Sequence, residues 1–259
     1  MMRIGLIGLG NAGSHLGRWL YRKHLGLQAV YSRTLVKAES FGKRRNIFYT
    51  NRLAELPADL DLYILAVPDQ VIPQVARELA GLNPAGSVVH VAGATPSTVL
   101  EPYFKRYGVL YPLQTLTLGR RIKADQVPFC IEASDEELKK QLLDLAMAIS
   151  GRAYLVSDAE RAWLHVTAVM VNNFSNHLYT LAAGILDREG LDFDLLRPLI
   201  LETARKVQKL PPRAAQTGPA ARGDQKTIAR HREMLAKYPD SLAVYKCITE
   251  SLVQLKIKN

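Results

Sequence analysis

The chain has 259 residues, room for one large domain or two modest ones, and 48% of it is hydrophobic, which excludes wholesale disorder. Lys and Arg number 34 against 24 Asp and Glu, a formal charge of +10 that suits anionic partners such as a phosphate-bearing cofactor or a carboxylate substrate. The basic residues are scattered, aromatics make up only 7%, and no apolar run reaches the roughly 18 residues of a membrane span, so neither nucleic acid nor membrane is an expected partner.

Arg3-Ile4-Gly5-Leu6-Ile7-Gly8 is a short apolar run ending in glycine, the form of a buried parallel strand. A glycine-rich turn follows, then helical periodicity from Ser14 to Leu20. Leu27–Arg33, Leu60–Val67 and Ser87–Ala92 read as further strands, with a helix pattern between Asp69 and Leu82. Strands separated by helix-length crossovers imply a doubly wound parallel α/β sheet of the Rossmann type. The sheet continues through Gly108–Tyr111 and Pro128–Glu132. Ser134-Asp135-Glu136-Glu137 has the spacing of a capping box, and Ala153–Val156 closes a domain spanning 1–156.

From 157 to 259 the chain reads as an all-α domain. Ser157-Asp158-Ala159-Glu160 is a second capping box, and no breaker appears before Gly190, which predicts one helix of about 30 residues. Asp192–Leu210 is a second helix, kinked at Pro198. A Pro/Gly/Ala-rich loop covers 211–224, and helices cover 225–237 and 241–257. Cys130 and Cys247 have no disulfide or metal spacing and read as small core residues. Met1-Met2-Arg3-Ile4 runs straight into the first strand with no leader-like stretch, so a cytoplasmic protein is expected.

The turn Gly8-Leu9-Gly10-Asn11-Ala12-Gly13 leaves a strand and opens a helix, the context of a dinucleotide site. Gly8 permits the turn, Gly10 lets backbone approach a pyrophosphate, and Gly13 lets helix pack on strand. The pyrophosphate would lie on the N–H groups at the helix N-terminus, Asn11 and Ala12 among them. An NAD site normally ends its second strand with Asp or Glu. Here Ser32-Arg33-Thr34 stands instead, a cation and two hydroxyls suited to the 2′-phosphate of NADP, with Lys37 or the Lys43–Arg45 cluster in support. Ala66-Val67-Pro68 and Gly93 end later strands and should border the same crevice.

On the substrate side, His165, Asn172 and Asn176 recur at spacings of seven and four, one stripe of an α-helix, with Asn173 beside it. Polar groups there fit a satisfied interhelical network or a substrate carbonyl or carboxylate equally well. Arg222 sits in the turn Thr217–Asp224 and can clamp a carboxylate, while Asp224 reads more readily as a helix cap.

The glycine turn, Ala66-Val67-Pro68-Asp69, Tyr111-Pro112-Leu113-Gln114-Thr115, His165 with Asn173-Phe174, and Thr217–Asp224 with His231 together resemble a family. It is the Rossmann-like oxidoreductases with a 6-phosphogluconate-dehydrogenase-like helical C-terminal domain, more narrowly the group whose C-terminal half is a domain of unknown function (number 2520). The resemblance implies a homodimer built through the helical domains and an active site between the domains. Wider kin include pyrroline-5-carboxylate reductase, ketopantoate reductase and the β-hydroxyacid dehydrogenases. The last use a Lys-x-x-x-Asn pair, but here Ala168 and Val169 precede Asn172 and Asn173 by four. His165 is then the best proton donor, histidine being the side chain whose ordinary pKa suits proton transfer near neutrality. The expected function is hydride transfer between NADP(H) and a small carbonyl or imine carrying an anionic group. Catalytic residues would be His165, Asn172, Asn173 and Arg222. The missing lysine keeps open a non-catalytic NADP(H) sensor or scaffold.

Overall fold

Eight strands make one sheet in the computed structural model, which describes residues 1–257. They are β1 (Ile4–Ile7), β2 (Leu27–Tyr31), β3 (Phe48–Thr50), β4 (Leu62–Leu65), β5 (Ser87–His90), β6 (Tyr107–Pro112), β7 (Phe129–Ala133) and β8 (Ala153–Leu155). Their order is β3-β2-β1-β4-β5-β6-β7-β8, and every pairing is parallel except β6 with β7. β1, β4 and β5 are buried along their whole length, which explains why they read as continuous apolar runs.

Helices cover both faces. α1 (Asn11–Arg22), α2 (Leu35–Lys43) and α4 (Glu136–Ser150) pack with a core that includes Leu16, Trp19, Phe41, Leu138 and Leu142. α3 (Ile72–Ala80) closes the other core around Leu53, Leu65, Ala76 and Leu79. This doubly wound arrangement is the expected one. α2 and β3 are not visible in the hydrophobic pattern, because α2 buries only Ala38, Phe41 and Gly42 and β3 is a three-residue edge strand. Gly42 lies where a Cβ would meet the Tyr49 ring at 2.6 Å, so the breaker inside α2 is a packing requirement.

The cap of α4 is Asp135 rather than Ser134. Asp135 accepts from the Leu138 N–H at 2.8 Å, and Ser134 instead accepts from the Tyr107 N–H. Ser157 and Glu160 form a complete capping box at the start of α5 (Asp158–Ala168). The helix does not continue as a uniform α-helix. Val169–Phe174 wind as a π-helix, and Ser175–Arg188 form α6.

The chain divides into two compact units, one ending at Asn172 and the other beginning at Asn173, while the last strand ends at Leu155. In the second unit α7 (Arg197–Lys206) carries Pro198 in its first turn, where proline lacks no needed N–H, so it starts this helix rather than kinking a longer one. One-turn helices α8 (Pro212–Ala215) and α9 (Pro219–Arg222) occupy the loop, followed by α10 (Gln225–Met234) and α11 (Pro239–Ile257). Within the described part of this unit only Ala220, Ile228 and Thr249 are buried. Phe174, Leu178, Leu195 and Leu199 are exposed, as is Cys247, contrary to its reading as a core residue; Cys130 is buried. No described helix is long and apolar enough to cross a membrane.

Candidate cofactor and active site

Gly8 follows β1 with φ +108°, a conformation open to glycine, and a Cβ there would press into the Ala66 carbonyl. Gly13 is a glycine for packing, since its Cβ would run into the Gly8 carbonyl and come within 3.1 Å of the Ala66 side chain. Gly10 is different. Its φ is −75°, and a Cβ would meet nothing within 4 Å. The fold itself does not need glycine at this position, but a ligand lying against the backbone does. Gly10 N-caps α1 without a side-chain cap, and the first turn holds no acid, so its N–H groups remain available to an anion. These residues fit a dinucleotide pyrophosphate.

β1 pairs with β2 on one side and β4 on the other, so their carboxyl ends flank the switch point where open α/β sheets bind ligands. A cavity of about 320 Å³ opens there, lined by Gly8 and Gly10, Ser32 to Thr34, Lys37 and Ala66 to Pro68. Ser32 is buried, whereas Arg33 and Thr34 are exposed. Glu78 of α3 lines the same cavity, a carboxylate that the absence of acid at the end of β2 did not reveal. Asn11 and Ala12 stand at the helix start, and the Asn11 side chain accepts from the Leu118 N–H at 3.1 Å. His15 and Trp19, on the same stripe of α1, reach the carbonyls of Thr117 and Ile122 and hold that loop against the helix. A larger cavity, about 900 Å³, lies at the amino ends of the strands. Arg3, which lines it, is already paired with Asp59 and Asp61, and that end of a parallel sheet is not where ligand crevices form.

The carboxyl end of β5 holds a second cluster. Gly93 is buried between two side chains brought in from elsewhere: a Cβ on it would strike Nδ1 of His165 and lie 2.8 Å from the Tyr111 ring. The Tyr111 hydroxyl is 3.3 Å from His165 Nδ1. Burial raises the Tyr111 pKa above its ordinary value, so the phenol stays protonated, and its oxygen can accept from Nδ1–H or its hydroxyl donate to a bare Nδ1 according to the ring's tautomer. Gly93 and His165 thus meet, with Tyr111 as a third member that the sequence marked only as the start of a segment carrying the family resemblance.

Beneath them, Arg161, four residues before His165 on α5, is 1% exposed. It pairs with Asp158 at 2.7 Å and donates to the Thr95 carbonyl. Asp158 also accepts from the backbone and hydroxyl of Ser97. Burial opposes its charge, but the bonds from Ser97 and Arg161 hold its carboxyl below the usual range. His90 accepts from the Ala92 N–H at 3.1 Å and pairs with the Pro96 carbonyl at 3.2 Å. Burial, the largest cause, pushes its pKa down to about 4. The loop of residues 91–97 is therefore fixed from both sides.

The remaining sequence-selected residues are placed differently. Asn172 and Asn173 lie in the π-helical stretch, both exposed. The winding from Val169 to Asn172 holds more residues per turn than an α-helix, so the α-helical spacing of seven between His165 and Asn172 does not carry through it unchanged. Arg222 ends α9 in the second unit and is exposed; Gly223 follows in the left-handed region. Asp224 caps α10, accepting from the N–H and hydroxyl of Thr227. His231 of the same unit is 2.9 Å from the Tyr245 hydroxyl. Among the described residues no cluster of His, Cys, Asp and Glu could hold a metal.

Residues 1–114 match the Rossmann-like domain family, and residues 127–252 match the domain of unknown function DUF2520. A Bacteroides fragilis protein assigned as an NADP oxidoreductase is 38% identical in sequence, with 98% of each chain covered and a TM-score of 0.90. A Thermotoga maritima protein superposes at TM-score 0.77 over 98% of each chain with 21% identity, a likeness of fold. A glycerol-3-phosphate dehydrogenase [NAD(P)+] from Geobacter metallireducens is 27% identical over 233 residues, 80% of this chain and 67% of that protein. With two family matches in sequence and a relative of this identity aligned end to end, the chain belongs to the family of Rossmann-like NAD(P)-dependent oxidoreductases whose C-terminal part is the DUF2520 domain.

Proposed function

We propose that the protein transfers hydride between NADP(H) and a small carbonyl or imine substrate that bears an anionic group, with His165 moving the accompanying proton. The observation that carries this reading is the meeting of His165, Tyr111 and Gly93 at the carboxyl end of β5, in the same compact unit as the glycine turn. When bound, the nicotinamide supplies or accepts the hydride. Gly8, Gly10 and the first turn of α1 hold the pyrophosphate, and Ser32, Arg33, Thr34 and Lys37 face the adenosine side. With Nδ1–H donating to the Tyr111 oxygen, Nε2 exchanges the proton: the imidazolium gives it to the substrate oxygen or nitrogen and becomes the neutral ring, and in the reverse direction the bare Nε2 of the neutral ring accepts it.

NADP is preferred over NAD in this reading because Arg33 can pair with a 2′-phosphate and no carboxylate follows β2. The assignment of the B. fragilis relative as an NADP oxidoreductase points the same way. Asn172 or Asn173 binds the reacting group, and Arg222 clamps the anionic group of the substrate. The exposed apolar side chains of the second unit, Phe174, Leu178, Leu195 and Leu199 among them, are covered by a second copy in a homodimer. Two unpaired cysteines suit a reducing, cytoplasmic setting. The test is calorimetric titration with NADPH and NADH. Preference for NADPH that disappears in Arg33→Ala supports the reading, and equal or absent binding of both overturns it.

A further inference from the structure

A third cavity, of about 380 Å³, lies between α1 and α2 and shares Leu9 and Lys37 with the dinucleotide crevice. Its charged lining is wholly cationic: Arg18 from α1, Lys37 from α2, and Arg44 and Arg45 just beyond α2. The hydroxyls of Ser14 and Ser40 complete its polar wall, and no carboxylate lines it.

The cations are not at rest with one another. Nη2 of Arg18 and Nε of Arg45 are buried and have no hydrogen-bond partner, the costly state for a guanidinium nitrogen. Arg45 is fixed on one side. Its guanidinium lies 3.9 Å from the centre of the Phe41 ring, and Nη1 donates to the Phe41 carbonyl at 2.8 Å. That leaves its Nε without a partner. Burial, and then the neighbouring charge of Arg18, lower the Arg45 pKa, so the site is short of negative charge. A dense group of donors with no acceptor calls for a ligand rich in acceptors. A phosphate offers its oxygens in several directions at once, whereas a carboxylate occupies a single plane. The volume falls in the range of small-ligand pockets.

We infer that this cavity is a phosphate-binding site, in which Arg18, Arg45 and Lys37 hold a phosphate group with Ser14 and Ser40. The phosphate comes either from the adenosine end of the dinucleotide, reached across Lys37, or from an independent phosphate ester. The inference does not depend on hydride chemistry.

The experiment is titration calorimetry of the full chain with inorganic phosphate at constant ionic strength, using wild type, Arg18→Gln, Arg45→Gln and Ser40→Asp. Saturable binding weakened at least tenfold by each substitution is the expected result. Ser40 is exposed, so Ser40→Asp introduces repulsion without disturbing the core and covers the case in which an arginine variant fails to fold. If NADP⁺ displaces phosphate and NAD⁺ does not, the site seats the 2′-phosphate. If phosphate binds undiminished to the NADP⁺-saturated protein, it seats a separate ester. Absence of saturable binding overturns the inference. So does binding unchanged in Arg18→Gln and Ser40→Asp, because the phosphate would then rest on the glycine turn. Neither failure touches the proposed oxidoreductase chemistry, which is read by turnover.

Discussion

The hydroxyl of Tyr111 and Nδ1 of His165 stand 3.3 Å apart over Gly93, joining β6 to α5 at the carboxyl end of β5. Neither side chain is placed by its own element alone. β6 sets the phenol against the sheet, and the Arg161–Asp158 pair one turn earlier seats α5 on the loop of residues 93–97. The imidazole is thereby held by a packing contact and a directed hydrogen bond, the kind of support a proton-transfer group needs.

His165→Asn is expected to lower kcat by about 10²–10⁴-fold, the usual span for loss of an acid–base group. Tyr111→Phe keeps the packing and removes one hydrogen bond, so kcat should fall by roughly tenfold or less. Its more telling effect is on the pH–rate profile, whose limbs should move because the imidazole has lost its partner. A Tyr111→Phe profile superimposable on wild type removes the phenol from the proton path.

Two glycines of one turn should behave oppositely. Gly10→Ala meets no atom within 4 Å, so stability should change by no more than about 0.5 kcal/mol while NADPH affinity drops roughly tenfold or more. Gly13→Ala drives a methyl into the Gly8 carbonyl and should destabilise by about 3 kcal/mol or prevent folding. Melting curves with and without NADPH separate the two. Unchanged NADPH binding by Gly10→Ala would move the pyrophosphate elsewhere.

Most of the sheet was legible because β1, β4 and β5 are buried on both faces and therefore appear as unbroken apolar runs, and Gly8 to Gly13 mark the turn between β1 and α1. α2 escaped because its interior glycine is required by Tyr49, a contact from the next strand. The π-helical turn at Val169–Phe174 was illegible for a similar reason. Its winding depends on which backbone carbonyl each N–H selects, and Val-Met-Val-Asn-Asn-Phe reads as ordinary α-helix. In the site, His165 and Gly93 could be selected singly by residue type. The Tyr111 contact and the buried Arg161 depend on strands and loops distant in sequence, and nothing local marks them.

Stability should depend on pH through His90. Its pKa is about 4 in the folded chain and near 6.5 when unfolded, so between these values the unfolded chain takes up a proton that the folded chain refuses. The contribution is fully present above pH 6.5 and is lost as pH falls towards 4, amounting to roughly 3 kcal/mol. His90→Gln retains a donor for the Pro96 carbonyl and does not titrate, so its stability should decline less between pH 7 and pH 5. Trp19 and Trp163 both lie in the first unit, and their fluorescence in urea reports its unfolding. An equally steep decline in His90→Gln would refute the assignment.

Arg161→Met leaves the half-buried Asp158 with only Ser97 to satisfy it, and losing a hydrogen bond between charged groups costs about 1.5–3 kcal/mol. Because Arg161 also donates to the Thr95 carbonyl, its loss frees the loop that carries Gly93, and kcat should fall although the hydrogen bonds of Arg161 go to Thr95 and Asp158 and not to His165 or Tyr111. Replacing both charges, Arg161→Met with Asp158→Leu, removes the uncompensated carboxylate and should recover most of the lost stability. Urea unfolding of the two single variants and the double variant forms the cycle. A double variant as unstable as Arg161→Met would mean that the bond to Thr95, and not the charge on Asp158, is what the fold requires of Arg161.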